Sequence, residues 1–183
     1  MSSYTKETRE EALMRLMNTY GDGIKRMCCV YLKDLHMAED AAQETFIKAF
    51  SHIDKLLDGA IGNERAWLSR IAINTCKDML RSPWQRILDR RRSIEELPLA
   101  ASSSCEDSLA LTDAISRLPQ KHRDIVLLHY YQGLNLRICA KVLDISAPTA
   151  TRRLAQAQKT PEDRFRKGLI TDETGKPHSP NHR

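Results

Sequence analysis

The sequence has few aromatic residues and few residues that form tight turns. Aromatic side chains make up 5% of the 183 residues, and there are 7 glycines and 7 prolines. An antiparallel sandwich or barrel needs a turn roughly every 8–12 residues. The composition therefore argues against an all-β fold. Hydrophobic residues at 41% and charged residues at 29% are sufficient for a packed core with a solvated surface.

The chain also lacks a long apolar run. No segment approaches the roughly 20 apolar residues that a membrane-spanning helix needs. The start, MSSYTKETREEALMRL, does not place an apolar stretch after a basic one, so it predicts no signal peptide. The cysteines are odd in number and form no CxxC pair, which favours reduced thiols in the cytoplasm. They are Cys28, Cys29, Cys76, Cys105 and Cys139.

Catalytic and metal-binding motifs are missing as well. No HExxH motif is present, and the histidine pair His178 and His182 lies in a polar tail. No glycine-rich loop carries the lysine of a phosphate-binding loop. We therefore expect no metal, no cofactor and no enzymatic activity. One enzymatic alternative remains, a redox-responsive thiol at Cys28 or Cys29, which requires an exposed thiol with a lowered pKa.

Hydrophobic periodicity at three and four residues is present, and it predicts an all-α protein. We divide the chain into a helical domain over 5–92, a linker over 93–107, a second helical domain over 108–168 and a disordered tail over 169–183. The linker has four acidic residues, no basic residue and an AASSS run, which is typical of a flexible connection. It is either a solvated spacer or a segment that mimics or repels nucleic-acid phosphate.

In the first domain, Gly21 and Gly23 predict a break between two helices. The segment LLDGAIGN, residues 56–63, predicts a loop, and Asn63 predicts the N-cap of the next helix. Pro83 should end or kink that helix. Its apolar stripe is predicted to comprise Trp67, Leu68, Ile71, Ala72, Thr75, Cys76, Met79 and Leu80.

The same helix carries a polar and cationic stripe, flanked by Trp67 and Trp84. Cations beside aromatic faces suit unstacked nucleic-acid bases. For Trp67 alone, a position in the core is the simpler interpretation. The stripe comprises Arg70, Asn74, Lys77 and Arg81.

The second domain predicts four short helices, the last two joined by a tight turn at residues 144–146. Asn135 and Ser146 are predicted N-caps, and Pro148 falls in the first turn of the last helix. This pattern is typical of a helix-turn-helix. We expect an outward face on the last helix that comprises Thr149, Thr151, Arg152 and Gln156, with Ala150, Leu154 and Ala157 packed inward. The alternative is an ordinary helical hairpin with a charged surface. The net charge of +5 permits a nucleic-acid partner without demonstrating one.

Three segments, in this order, closely resemble the bacterial RNA polymerase sigma factors of the extracytoplasmic-function (ECF) group. They are AEDAAQETFIKAF (38–50), ERAWLSRIAINTCKDMLR (64–81) and AISRLPQKHRDIVLLHYYQGLNLRICAKVLDISAPTATRRLAQAQ (114–158). The resemblance covers about residues 10–160. It implies an alternative sigma factor that binds core RNA polymerase and promoter DNA under the control of an anti-sigma factor.

The resemblance also implies three sets of contact residues. The set that docks on polymerase is Asp40, Gln43, Glu44, Phe46 and Ile47. The set that melts the promoter and recognises the upstream-ten element, with a flipped base captured in the loop, is Asp58, Asn63, Trp67, Arg70, Asn74, Lys77 and Arg81. The set that reads the upstream-thirty-five element is Ser146, Pro148, Thr149, Thr151, Arg152, Arg153 and Gln156.

The last helix departs from the family pattern. Thr151 stands where such sigma factors usually have lysine, and Gln156 and Gln158 stand where they have arginines. Each lost phosphate contact lowers the affinity for DNA and makes that affinity less dependent on salt concentration. An alternative function is therefore a sigma-derived regulator that binds polymerase or DNA without initiating transcription.

Overall fold

The computed structural model describes residues 7–81 and 114–158, and all regular secondary structure in these two ranges is helical. Contacts divide the chain into two units, Met1–Met79 and Leu80–Arg183. The all-helical, two-domain prediction is confirmed. The predicted linker and tail, Pro83, Trp84 and Cys105 lie outside the described residues. No helix in the described ranges is both long and apolar enough to cross a membrane.

The described part of the first unit has four helices, the last of which extends two residues beyond Met79: α1 (Arg9–Leu32), α2 (Leu35–Ser51), α3 (Ile53–Leu57) and α4 (Glu64–Arg81). Thr8 begins α1 with a capping box, since its hydroxyl accepts from the Glu11 N–H and the Glu11 carboxylate accepts from the Thr8 N–H. Asp34 caps α2 by accepting from the Met37 N–H at 2.9 Å. Short polar caps therefore fix where α1 and α2 begin.

The predicted break at Gly21 and Gly23 is wrong, because α1 is one continuous helix of 24 residues. Fully buried side chains lie on both sides of the glycines, among them Leu16 and Ile24. A glycine inside a helix costs about 1 kcal/mol relative to alanine. Burial of a single leucine or isoleucine contributes about 1.5–3 kcal/mol, so packing of the apolar face outweighs the local preference.

Gly21 supplies a stability prediction. A Cβ built there meets no atom within 4 Å. We expect Gly21→Ala to stabilise the protein by about 0.5–1 kcal/mol, because alanine loses less backbone entropy in a helix. Urea unfolding measures the change. Gly59→Ala is the matched control and should destabilise, since Gly59 has a φ of +73°. A lower stability of Gly21→Ala would contradict an uninterrupted α1.

The core of the first unit lies between α1, α2 and α4. Four alanines on one side of α2 are at most 9% exposed, which lets the helices approach closely. They are Ala38, Ala41, Ala42 and Ala49. Larger buried side chains fill the space around them: Leu16, Ile24, Met27, Tyr31, Ile53, Leu68 and Ile73. Close packing of this kind joins α1 to α2, and α4 contributes Leu68 and Ile73 to the interior of the same unit.

The second unit has a helical segment over 114–117, then α5 (Gln120–Val126), which continues as a π-helical turn (Leu127–Tyr131). Two further helices follow, α6 (Leu136–Val142) and α7 (Ala147–Ala157). Gly133, at φ +63°, ends the π-helical turn. The turn before α7 uses the left-handed Asp144. Helices α6 and α7 form the predicted helix-turn-helix, and the π-helical turn was not predicted from the sequence.

Candidate nucleic-acid interface

The loop between α3 and α4 is exposed over most of its length and fixed at both ends. At its start, the Asp58 N–H donates to the Asp54 carbonyl at 2.8 Å, and the Ala60 N–H donates to the Lys55 carbonyl at 2.9 Å. At its end, the Asn63 side chain accepts from the Ala66 N–H at 2.8 Å, as predicted for an N-cap. Both Asp58 and Asn63 are exposed. The loop therefore presents polar groups from an ordered backbone.

Helix α4 turns a polar face outward next to this loop. Arg70, Asn74 and Arg81 are exposed, and Lys77 is half-buried. Trp67 is half-buried, so the expectation of a core position is only partly right. These four residues lie on one exposed side of α4 together with Trp67. The predicted interface requires this arrangement.

The predicted apolar stripe of α4 is partly wrong. Leu80 is 37% exposed and Ile71 is half-buried, whereas Ser69 and Ile73 are buried. The buried face is therefore rotated toward Ser69 and Ile73. Ser69 is accommodated in the interior because its hydroxyl donates to the Arg65 carbonyl at 2.7 Å.

The outer face of α2 is acidic with one large apolar side chain. Asp40 and Gln43 are exposed, and Ile47 is 62% exposed. Glu44 is half-buried and lies 3.6 Å from Lys48 Nζ. Phe46 is only 7% exposed, so the expectation that it contacts a partner is corrected: its side chain supports α2 from inside the core.

Helix α7 has the outward face that the sequence predicts. Thr151, Arg152 and Gln156 are exposed, and Arg153 and Thr149 are half-buried. The inward residues Ala150, Leu154 and Ala157 are buried. The Ser146 hydroxyl caps the helix by accepting from the Thr149 N–H at 3.3 Å, and Pro148 lies exposed in its first turn.

Two glutamine side chains tie α7 to the preceding helices. Gln156 Oε1 lies 3.3 Å from His122 Nε2 on α5. Gln158 Nε2 donates to the Tyr130 hydroxyl at 2.7 Å. These contacts join residues 34 and 28 positions apart. They join α7 and its C-cap residue to α5 and the π-helical turn, at the positions where the family pattern has arginines.

One cluster was missed by the sequence reasoning. The Arg15 guanidinium of α1 pairs with the Glu64 carboxylate at the start of α4, at 2.8 Å. Tyr20 also donates to Glu64, at 3.1 Å. The Arg15 hydrogen bond lowers the pKa of Glu64, so the pair stays ionised at more acid pH than an isolated glutamate would. No local pattern signals a contact between residues 49 positions apart.

The described thiols lie mostly in the core. Cys28, Cys76 and Cys139 are buried, and Cys29 is half-buried. Burial raises the pKa of Cys139 to about 12. Within residues 7–81 and 114–158, no group of three or more potential metal ligands comes together. Cys28 is fully buried, so it does not fit the redox alternative, which requires an exposed thiol.

The raised pKa of Cys139 gives a labelling prediction. Only about one thiol in ten thousand is deprotonated at pH 8 when the pKa is about 12. Iodoacetamide should leave Cys139 unmodified in the native protein and alkylate it in urea, as mass spectrometry of the peptides would show. Fast native labelling of Cys139 would show that its side chain is not buried as described.

Two family models match the chain in sequence order. The model described as Sigma-70 region 2 matches residues 16–92, and the model described as Sigma-70, region 4 matches residues 108–160. The first match contains the loop, α2 and α4, and the second contains the helix-turn-helix. These regions define a transcription regulator of the sigma-70 class.

Similar proteins of known family show which group of the sigma-70 class the chain belongs to. The chain is 30% identical to the ECF RNA polymerase sigma factor SigW of Bacillus subtilis over 169 residues, which cover 84% of this chain and 89% of that protein. It is 31% identical to the ECF RNA polymerase sigma factor SigL of Mycobacterium tuberculosis over 153 residues, which cover 81% and 86%. The chain belongs to the ECF RNA polymerase sigma factors.

Solved structures share the fold. One is the sigma factor RpoE of Bartonella quintana in complex with the anti-sigma factor NepR, with a TM-score of 0.66 and 20% identity over 87% of this chain and 97% of that one. Another is CnrH in complex with the cytosolic domain of CnrY, with a TM-score of 0.59 and 20% identity over 81% and 84%.

Proposed function

We propose that this sigma factor acts by binding rather than by catalysis, and that each partner binds a different surface of the protein. It binds core RNA polymerase and directs transcription initiation at specific promoters. The observation that carries the assignment is that regions 2 and 4 both match, in order, and each contains an exposed polar helix face. Because its partners are polymerase and promoter DNA, we place its action in the cytoplasm.

The acidic face of α2 docks on polymerase. Its contact residues are Asp40, Gln43, Glu44 and Ile47, with Phe46 behind them. An exposed isoleucine beside carboxylates suits a partner surface with an apolar centre and a cationic rim. The apolar contact supplies affinity, and the charges supply orientation and a faster encounter.

The loop and α4 bind melted promoter DNA. Opening a duplex costs unstacking free energy, which a pocket for an extruded base offsets. The loop Asp58–Asn63 receives that base. Helix α4 holds the adjoining single strand through Arg70, Asn74, Lys77 and Arg81, and the outward part of Trp67 offers a face for stacking.

Helix α7 enters the major groove at the upstream-thirty-five element. In a helix-turn-helix, residues near the start of the second helix reach base edges. Thr149 and Thr151 lie there, with Ser146 and Pro148 at the cap. Arg152 and Arg153 supply charge to the phosphates, and Gln156 supplies an amide further along the same helix.

An anti-sigma factor controls this protein by binding to it. Two proteins with this fold have been solved in complex with a partner, the anti-sigma factor NepR in one case and the cytosolic domain of CnrY in the other. A partner that covers α2 or α7 would keep the sigma factor from polymerase or from DNA, and its release would start transcription.

Run-off transcription tests the function. Purified core polymerase and this protein are mixed with a library of genomic fragments, and the transcript starts are sequenced. We expect discrete starts that share motifs near positions −10 and −35 and that disappear without the protein. Binding to core without any start would favour the non-initiating regulator, and no binding to core would contradict both functions.

A further inference from the structure

Two arginines of α1 hold the elements on either side of the loop Asp58–Asn63. Arg9 is the first residue of α1, and Arg15 lies six residues further along the same helix. Six residues span about 9 Å of helix axis. Arg9 contacts the helix that leads into the loop, and Arg15 contacts the helix that leaves it. Helix α1 is therefore a rigid spacer between the two ends.

The contact at the end of the loop is a bidentate ion pair. Arg15 Nη1 donates to Glu64 Oε2 at 2.9 Å, and Arg15 Nη2 lies 2.8 Å from Glu64 Oε1. One hydrogen bond with a second close charge contact between the same two groups fixes direction as well as distance. Arg15 Nε in turn bonds Glu7 at 2.9 Å. Glu64 directly follows Asn63, the last residue of the loop.

Tyr20 strengthens the same attachment. Its hydroxyl lies 3.1 Å from Glu64 Oε2, and the Arg65 guanidinium lies 5.7 Å from the centre of its ring. The first two residues of α4 therefore both contact one side chain of α1. The side chain of Glu64 is only 24% exposed, which shields this part of the cluster from solvent.

Arg9 makes several contacts at the start of the loop. Arg9 Nη1 lies 3.3 Å from Asp54 Oδ2, and Arg9 Nη2 donates to the Phe50 carbonyl at 3.2 Å. The guanidinium lies 5.0 Å from the centre of the Phe50 ring. Asp54 belongs to α3, and its carbonyl accepts the N–H of Asp58, the first residue of the loop.

We propose that Arg9 and Arg15 are positioning residues that set the separation of the loop ends and thereby the shape of the base-receiving loop. The inference rests on the proposed function of the loop. Neither arginine touches DNA in this account. A pocket for one base must be held to within about 0.5 Å, so a change in either attachment alters which base fits.

The test uses the holoenzyme formed with core polymerase. The probes are fluorescent single-stranded oligonucleotides of the non-template strand around −10 of a promoter found by run-off transcription, with each of the four bases at the flipped position. Arg15→Gln should bind the preferred base about fivefold more weakly and discriminate less between bases. Arg15→Lys should recover part of the selectivity, because it keeps the charge without the bidentate geometry.

Lys25→Gln is the matched control. It removes another exposed ion pair of α1, with Glu39 at 2.7 Å, at a distance from the loop along the helix. It should leave oligonucleotide binding unchanged. The thermal midpoints of all three variants should lie within a few degrees of the wild type, and their affinity for core should be the same.

Two results would overturn the inference while leaving the loop's function intact. One is wild-type selectivity in Arg15→Gln, and the other is an equal loss in Lys25→Gln, which would make the effect one of general stability. Failure of the wild-type holoenzyme to discriminate between bases would instead overturn the function of the loop, and this inference with it.

Discussion

Charge reversal of Asp40 and Glu44 to lysine is expected to weaken binding to core RNA polymerase about 100-fold. Both carboxylates lie on the outer face of α2 beside the exposed Ile47. Close charge pairs at interfaces couple by roughly 1.5 kcal/mol or more, which is about tenfold each. Reversal replaces attraction with repulsion. Competition with a labelled sigma factor for purified core measures the change.

The fold should survive this double substitution. Glu44 and Lys48 form a solvent-screened pair one turn apart on α2, and pairs of this kind contribute less than about 0.5 kcal/mol. Glu10→Lys with Asp22→Lys is the matched control, because it makes the same charge change at exposed positions of α1. The control should bind core normally. An affinity of the Asp40 and Glu44 variant within twofold of wild type would contradict docking through α2.

The second large effect is expected on α7. Arg152→Ala combined with Arg153→Ala should reduce holoenzyme affinity for a promoter duplex about 10- to 100-fold at moderate salt. Each lost phosphate contact also lowers the slope of log affinity against log salt by about 0.9, so the slope should fall by about 1–2. Measurements of promoter affinity between low and moderate salt give both quantities.

The caps and buried face of α7 remain in this variant, since Ser146, Ala150 and Leu154 are unchanged. Circular dichroism should therefore match that of wild type. Lys25→Ala with Arg26→Ala removes two adjacent exposed cations from α1 and is the charge-matched control. If both double variants lose affinity equally, net charge rather than α7 governs promoter binding.

Local rules predicted the helix boundaries well where caps are short polar side chains. Asn63, Asn135 and Ser146 each accept an N–H from the first turn, as predicted. The helix-turn-helix followed from these caps and from the inward spacing of Ala150 and Leu154. Such signals are local, so a single sequence contains them.

Tertiary packing explains the structural features that the local sequence rules did not predict. Gly21 stays helical because buried side chains on both sides of it hold α1 against α2. Ile73 is buried in place of Leu80 because neighbouring helices, rather than hydrophobicity alone, select the buried face of α4. The contact between Arg15 and Glu64 depends on how α1 and α4 meet, and no spacing along the chain reveals it.

Permanganate footprinting of the holoenzyme shows whether this protein opens promoter DNA, because it reports unpaired thymines on a promoter found by run-off transcription. We expect reactive thymines between about −10 and the start site only when this protein is present with core polymerase. We also expect that they are lost with the Asp40 and Glu44 reversal. A duplex that stays unreactive while this protein, core and promoter are bound together would contradict a function in promoter opening.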